Sequence, residues 1–177
     1  VCSSDLQEYY RVRVGAEKIY LLNFERTMEE IFQGDGAHVS KDSINLGIRS
    51  DVVDYKANET GNIICFVQQG ELWSYNQSEN KMTQVFSFRS GDDMDIRENY
   101  DEHAIRILKA DEGGSIDFVV YGYMNRGEHE GQVGVSVCHY DCVTNTVEEM
   151  LFIPTTLSYQ VVKEQLGTLM YVSDNGY

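Results

Sequence analysis

Ten consecutive residues hold most of the side chains in this chain that could do chemistry. Gly122-Tyr123-Met124-Asn125-Arg126-Gly127-Glu128-His129-Glu130-Gly131 contains three glycines, one base, two acids and a histidine. Arg126 is a planar fork suited to a carboxylate or a phosphate, and Glu128, His129 and Glu130 are metal-type ligands. Adjacent residues of an extended chain point in opposite directions, and the spacing is not that of a His-Glu-x-x-His zinc helix. The plainer reading is a solvated hairpin extension with Arg–Glu pairing. The functional reading is a binding loop, because long insertions between regular strands are where binding residues concentrate. Tyr123, Asn125, Arg126, Glu128, His129 and Glu130 are therefore the candidate ligand-binding residues. No residue reads as catalytic, and neither a metal nor a cofactor is predicted.

Other constellations carry less. Asp92-Asp93-x-Asp95-x-x-Glu98 is rich in oxygen ligands, but counted from Asp93 the sixth position is Glu98 where a calcium loop of the EF-hand type needs glycine. It reads as a solvated acidic connector. Cys138-His139-x-x-Cys142 lacks the second close pair that a structural zinc site requires, and on a strand His139 faces away from the cysteines. His38 and His103 sit in polar connectors without a paired nucleophile. No glycine-rich phosphate loop and no nucleophile elbow is present. Of the four cysteines, Cys65 lies in the apolar run Ile63–Val67, and Cys138 and Cys142 on an extended strand would be roughly 13 Å apart, beyond the ~7 Å limit for bridging. With Cys2 they read as reduced, structural thiols.

The elements that must position these groups are written twice. From Val52 the chain matches itself at an offset of 53: Lys56 with Lys109, Ala57 with Ala110, Gly61 with Gly114, Ile63 with Ile116. Further on the offset is 65: Leu72 with Val137, Tyr75 with Tyr140, Asn76 with Asp141, Asn80 with Asn145. The 12-residue difference is the longer loop of the second copy, around Tyr123–Gly131. Each copy reads as four strands: Val52–Ala57, Ile63–Gln68, Glu71–Asn76 and Lys81–Phe88, then Ala104–Ala110, Ile116–Tyr123, Gln132–Asp141 and Thr146–Ile153. Pro154 closes the last, where its missing donor costs nothing. On the third strand of the second copy Val133, Val135 and Val137 share one face and Cys138 and Tyr140 the other.

A third copy is predicted to begin with a strand at Tyr159–Glu164 and a second at Thr168–Val172. Before the repeat, Tyr9–Val14 and Ile19–Phe24 read as strands around a turn at Gly15–Lys18, and Arg26–Phe32 as a strand or a short helix. If Ile19–Asn23 corresponds to Glu71–Asn76, this region is the outer half of a preceding unit. Gln33–Ser43 reads as a loop, with a short strand possible at Ser43–Arg49. The expected organisation is a partial unit and loop over 1–50, the first clear unit with its acidic connector over 51–101, the second over 102–155, and the start of a third over 156–177.

A repeated four-stranded unit of about 50 residues is the mark of a propeller blade. The fold expected is all-β, antiparallel four-stranded blades of a partial β-propeller, with a β-sandwich as the alternative. Gly70-Glu71-Leu72-Trp73-Ser74-Tyr75-Asn76 resembles the third strand of many blades in the generic β-propeller families of bacterial cell-surface and sensor proteins. The resemblance covers about 51–172. It lacks a Trp-Asp blade ending and a Kelch double glycine, and it implies architecture only.

Net charge is −15, which repels phosphate backbones and an anionic leaflet. Nucleic acid and membrane contact are excluded on that ground, while protein, peptide or glycan ligands remain open. The twelve tyrosines fall mostly at alternating strand positions, so packing is their default role. There is no run of 18 apolar residues. The function expected is a non-enzymatic binding or sensor module, with part of a propeller hydrolase or lyase and a structural assembly domain as alternatives. The location expected is extracytoplasmic, anchored by a segment outside this chain, with cytoplasmic as the alternative. The opening Val1-Cys2-Ser3 and the abrupt end after Val172 suggest a piece of a larger molecule. Three to three and a half blades do not close a ring, so an exposed blade edge predicts a homodimer.

Overall fold

The computed structural model describes residues 4–34, 39–40, 43–47, 53–89, 97 and 100–166. Among the described residues the chain is all-β apart from one short α-helix, and it divides into two compact units, Val1–Val52 and Val53–Tyr177.

The first unit is built on an antiparallel ribbon of β1 (Ser4–Val14) and β2 (Ile19–Glu30). The turn between them closes with the Gly15 amide donating to the Lys18 carbonyl at 2.9 Å. Alternation, broken by one register shift between Arg11 and Val12, makes the ribbon two-faced. Leu6–Met28, Tyr10–Phe24, Val12–Leu21 and Val14–Ile19 are cross-strand pairs on one face, interrupted only by Glu8–Arg26. Arg11–Asn23 and Arg13–Tyr20 lie on the other. β2 is one uninterrupted strand through Glu30, so the turn or helix expected near Arg26 is absent. The apolar spacing of Met28 and Phe32 fits both periods, and pairing with β1 decides for the strand. Beyond it, Val39 and Ile44 form an isolated bridge.

The second unit holds two four-stranded antiparallel meanders. The first is β3 (Tyr55–Ala57), β4 (Ile63–Gln68), β5 (Glu71–Asn76) and β6 (Lys81–Phe86), in that spatial order. The second is β7 (His103–Ala110), β8 (Ile116–Tyr123), β9 (Val133–Asp141) and β10 (Thr146–Pro154), again in sequence order. Neither sheet closes on itself. The matched residues occupy matched turns. Tyr75 Oη donates to Asn80 Oδ1 at 3.0 Å and Tyr140 Oη to Asn145 Oδ1 at 2.8 Å. Both asparagines take the left-handed conformation, with φ of 50° and 55°, which asparagine tolerates better than most residues. Asn58 and Asp111 close the first turns alike, by accepting amide bonds from Ile63 and from Gly114 and Ser115.

The core lies between the two meanders. Ile63, Cys65, Leu72 and Val85 of the first meet Ile107, Ile116, Phe118 and Val120 of the second. Polar bonds join the same two layers. Glu112 accepts from Thr60 Oγ1 at 2.6 Å and from Asn58 Nδ2 at 3.0 Å, and Lys56 Nζ donates to the Leu108 carbonyl at 2.7 Å. Cys65 and Cys138 are buried free thiols and Cys142 is a half-buried one. Burial pushes the Cys65 thiol up to about 11, as expected of a packing residue.

Three further expectations are corrected. Strand one of the first meander, expected from Val52, begins only at Tyr55, and strand four stops at Phe86, two residues short. Tyr159–Glu164 is not a strand but lies in helix α1 (Tyr159–Leu166). Its consecutive valines favour a strand locally, but Tyr159, Val162 and Leu166 recur at helical spacing. Val162 packs on Val119 and Tyr121 of β8, on the face turned away from the first meander. The expected third copy thus loses its first strand, and with it part of the basis for a blade-edge dimer. Val52, His38, Cys2, the Asp92–Glu98 cluster and the strand expected at Thr168–Val172 lie outside the described residues.

His103 ties the start of β7 to the turn between β4 and β5, its Nε2 lying 3.0 Å from the Gly70 carbonyl. Burial holds its pKa below the ordinary value of about 6.5, although the bond to Gly70 pulls the other way. With Nε2 donating, the buried Nδ1 is a bare acceptor without a partner among the described residues. Below about pH 6.5 the unfolded chain therefore binds a proton that the folded chain refuses, and stability falls as pH drops. The urea midpoint, read by fluorescence of Trp73, is expected to fall from about pH 7 to about pH 5. A His103→Gln variant should lose that slope relative to wild type. Equal slopes in the two proteins would refute the assignment.

Candidate functional site

The loop after β8 is a closed hairpin extension. Met124 and Gly131 anchor its base, with Met124 N donating to the Gln132 carbonyl and Gly131 N to the Met124 carbonyl, both at 2.9 Å. Folded this way, the loop leans over the junction of the two meanders and roofs a pocket of about 230 Å³. The floor is apolar: Phe86 and Phe88 come from the first meander, Val120 and Met124 from the second. Arg126, Gly127, Glu128 and His129 form the rim, and Ser136, Cys138, Val147 and Glu149 the far wall.

The wall and rim are joined by hydrogen bonds. His129 Nε2 is 2.8 Å from Glu149 Oε1, and Ser136 Oγ donates to Glu149 Oε2 at 2.6 Å. Ser136 Oγ in turn lies 3.3 Å from Cys138 Sγ. Phe152 stacks flat against the His129 ring, centroid to centroid 3.7 Å with 6° between planes. Glu149 reaches this position where the pairing of β10 with β9 shifts register between Glu149 and Leu151. A bulge of that kind re-aims a side chain.

The six candidate residues divide. Arg126, Glu128 and His129 line the pocket. Tyr123, Asn125 and Glu130 do not; they hold the chain segment that precedes β7. The Tyr123 ring meets Tyr100 edge-on at 4.7 Å, and Glu130 pairs with Arg97 at 2.8 Å. Asn125 is buried and spends its amide on two carbonyls, Arg97 O at 3.0 Å and Tyr100 O at 2.6 Å. Sequence reasoning missed Glu149, Ser136 and the phenylalanine floor. The one available signal was Glu148-Glu149, an acidic pair inside an otherwise apolar strand.

The arrangement does not build a nucleophile. In a hydrolytic triad the histidine stands between the hydroxyl and the carboxylate. Here Glu149 stands in the middle and accepts from both, so the histidine is not placed to take the Ser136 proton. The Cys138 thiol is pushed up by burial, with the Glu149 charge acting in the same direction, so it stays protonated and inert. Among the described residues no group of three or more His, Cys, Asp or Glu is placed to hold a metal ion. His139, from the Cys-His-x-x-Cys spacing, turns outward to Asp117 at 2.7 Å. Chemically the site is an apolar hole with a charged rim, fixed by a bonded wall.

A second cavity of about 270 Å³ opens between the meanders, lined by Ser74, Lys81, Tyr140 and Cys142 among others. It is the more polar of the two, and Cys142 Sγ is already engaged with the Gly113 carbonyl at 3.1 Å. Comparison with known proteins finds no matching family model, no matching curated protein and no matching solved structure. No helix among the described residues is long and apolar enough to cross a membrane.

Proposed function

We propose that this chain is a non-enzymatic binding module made of consecutive β-propeller blades, and that the pocket under the 124–131 loop takes an apolar side chain of a peptide or protein ligand. The blade reading is supported by two meanders of the same strand order, with the same tyrosine–asparagine turn, packed face to face. On its other face the second meander also carries α1, whose Val162 packs on Val119 and Tyr121 of β8, so this sheet has packing partners on both sides, as a blade does. Display outside the membrane as part of a larger protein belongs to the same proposal and draws on the acidic, nucleic-acid-averse composition.

The observation that carries the ligand class is the apolar floor under a polar rim. At about 230 Å³ the hole is smaller than the roughly 300–1,000 Å³ of drug-sized sites, so it suits a single side chain. Arg126 and Glu128 on the rim are placed to meet the flanking peptide groups. A glycan would want exposed ring faces and many polar partners, whereas Phe86 and Phe88 are turned inward.

The test uses N-acetyl-leucine amide and N-acetyl-methionine amide as probes, with a methyl glucoside as the sugar comparison. Saturable shifts of the Met124 methyl resonance are expected from the amino-acid amides, with a Kd of about 1 mM, equivalent to about 4 kcal/mol. Val147→Trp, which fills the mouth from a partly exposed position, should abolish them. Saturation by the sugar alone, or no saturation by any probe, would overturn the reading.

A further inference from the structure

The ribbon of the first unit leaves an unusual surface uncovered. Its apolar face, centred on the pairs Tyr10–Phe24, Val12–Leu21 and Val14–Ile19, is exposed along its whole length, from 41% at Phe24 to 75% at Val14. An isolated two-stranded hairpin is marginal in water, and a continuous exposed apolar face marks an interaction site. The opposite face does not need cover. There Arg13 and Lys18 sit over the Tyr20 ring at 5.0 and 5.2 Å.

We infer that this face is a self-association surface, and that its occupant is the same face of a second copy of the chain, packed about a two-fold axis as a four-stranded, two-layer sandwich. Two observations select a second copy. The first is charge. The chain carries −15, so two copies repel over most of their surfaces. The described charges on this face are Glu8 and Arg26, which form an ion pair with each other, and Glu30 at its far end, opposite Ser4. From Leu6–Met28 to Val14–Ile19 the face is therefore neutral, and a side-by-side opposite pair is self-complementary under a two-fold: Glu8 of one copy meets Arg26 of the other. The second is area. Eight large side chains at about half exposure offer about 100 Å² each, or about 800 Å² per copy, which is the share each partner contributes to a standard stable interface. This inference is independent of the pocket and of its ligand.

Sedimentation equilibrium of the chain is expected to give about 40 kDa, twice 20.2 kDa, at micromolar concentration. Val12→Asp with Leu21→Asp puts four carboxylates into the two-fold contact and should weaken association by at least about 100-fold, since each like-charge juxtaposition costs several kcal/mol. Asn23→Asp on the opposite face should leave the dimer intact. The Trp73 unfolding transition, which reports the other unit, should be the same in all three proteins. A cross-linking experiment covers the case in which the double variant loses the ribbon itself. In a Cys2→Ser, Cys142→Ser background, Tyr10→Cys near the axis should form an intermolecular disulfide under mild oxidation, and Thr27→Cys on the other face should not. A wild-type monomer at about 100 μM, a dimer that survives the double aspartate change, or cross-linking through Thr27→Cys and not Tyr10→Cys would each overturn the proposal. The first of these outcomes would mean that the face is covered by its own chain or by a different protein.

Discussion

Phe118→Ala is expected to remove about 3–5 kcal/mol of stability, the cost of emptying a buried aromatic site. Phe118 is fully buried in the middle of β8, where it pairs with Ile107 on one side and Cys138 on the other. Its ring meets Phe86 of the first meander at 5.7 Å. It is therefore a plug between two layers as well as a strand residue, and neither layer can collapse alone to refill its volume. Set against a typical total of about 5–15 kcal/mol, the loss is a large fraction. The readout is built into the chain. Trp73 is its single tryptophan and sits in the first meander, while Phe118 sits in the second. If the two meanders form one cooperative unit, the urea midpoint seen by Trp73 fluorescence should fall as far as the midpoint seen by far-UV circular dichroism. Val143, which is 89% exposed in a turn, supplies the control: Val143→Ala should change stability by no more than about 0.5 kcal/mol. A Trp73 transition that does not move would mean that the meanders unfold separately. The same substitution should loosen the Phe86 floor of the pocket, so weaker probe binding is expected at concentrations of urea where the chain is still folded.

The contrast between what was legible in the residues and what was not follows from range. β4, β5 and β8 begin and end where their flanking turn residues predict, because Asn58, Gly61, Gly70, Asn80 and Gly114 act on neighbours a few positions away. The likeness of the two meanders was legible for the same reason, since both use the same tyrosine–asparagine turn. Helix α1 was not. Val161 and Val162 favour a strand locally, and the helix exists because β8 presents an apolar face for Val162 to cover, which is tertiary information. The site was half legible. An insertion of glycines and charged residues marks a loop, and the loop does roof a cavity, but loops have no fixed period and so no rule assigns each side chain a direction. Asn125 reads as a ligand donor and instead clamps two backbone carbonyls. Glu149 lies twenty positions beyond His129 in the chain and reaches it only through a register shift in β10, for which the sequence has no local signal.

Gly122→Ala is expected to cost about 3 kcal/mol or more, and the reason lies in three contacts that no rearrangement of side chains alone relieves. Gly122 ends the regular part of β8 at φ of 118°, a conformation that residues with a Cβ rarely adopt. A methyl group there would stand 2.5 Å from the Glu102 carbonyl oxygen, 2.6 Å from the Tyr159 ring and 2.9 Å from the His103 Cα. Two of the three are backbone atoms, and both are held: Glu102 O accepts the Tyr123 amide at 2.7 Å, and His103 pairs with Gly122 across the ladder. Backbone strain of about 1–2 kcal/mol and overpacking of about 1–3 kcal/mol therefore act together. The third contact extends the damage, because Tyr159 opens α1 and its hydroxyl donates to the His103 carbonyl at 3.2 Å. Displacing the ring should loosen the helix from β8 at the same time as it frees the base of the 124–131 loop. Gly127 separates the two terms. It also has positive φ, 94°, but a Cβ there would meet nothing within 4 Å, so Gly127→Ala should cost only the strain. Amide hydrogen exchange at Tyr123 and Met124 should accelerate sharply in Gly122→Ala and little in Gly127→Ala. If the two variants proved equally mild in thermal unfolding and in exchange, the close approach of Glu102, His103 and Tyr159 would not be what holds the loop in place over its pocket.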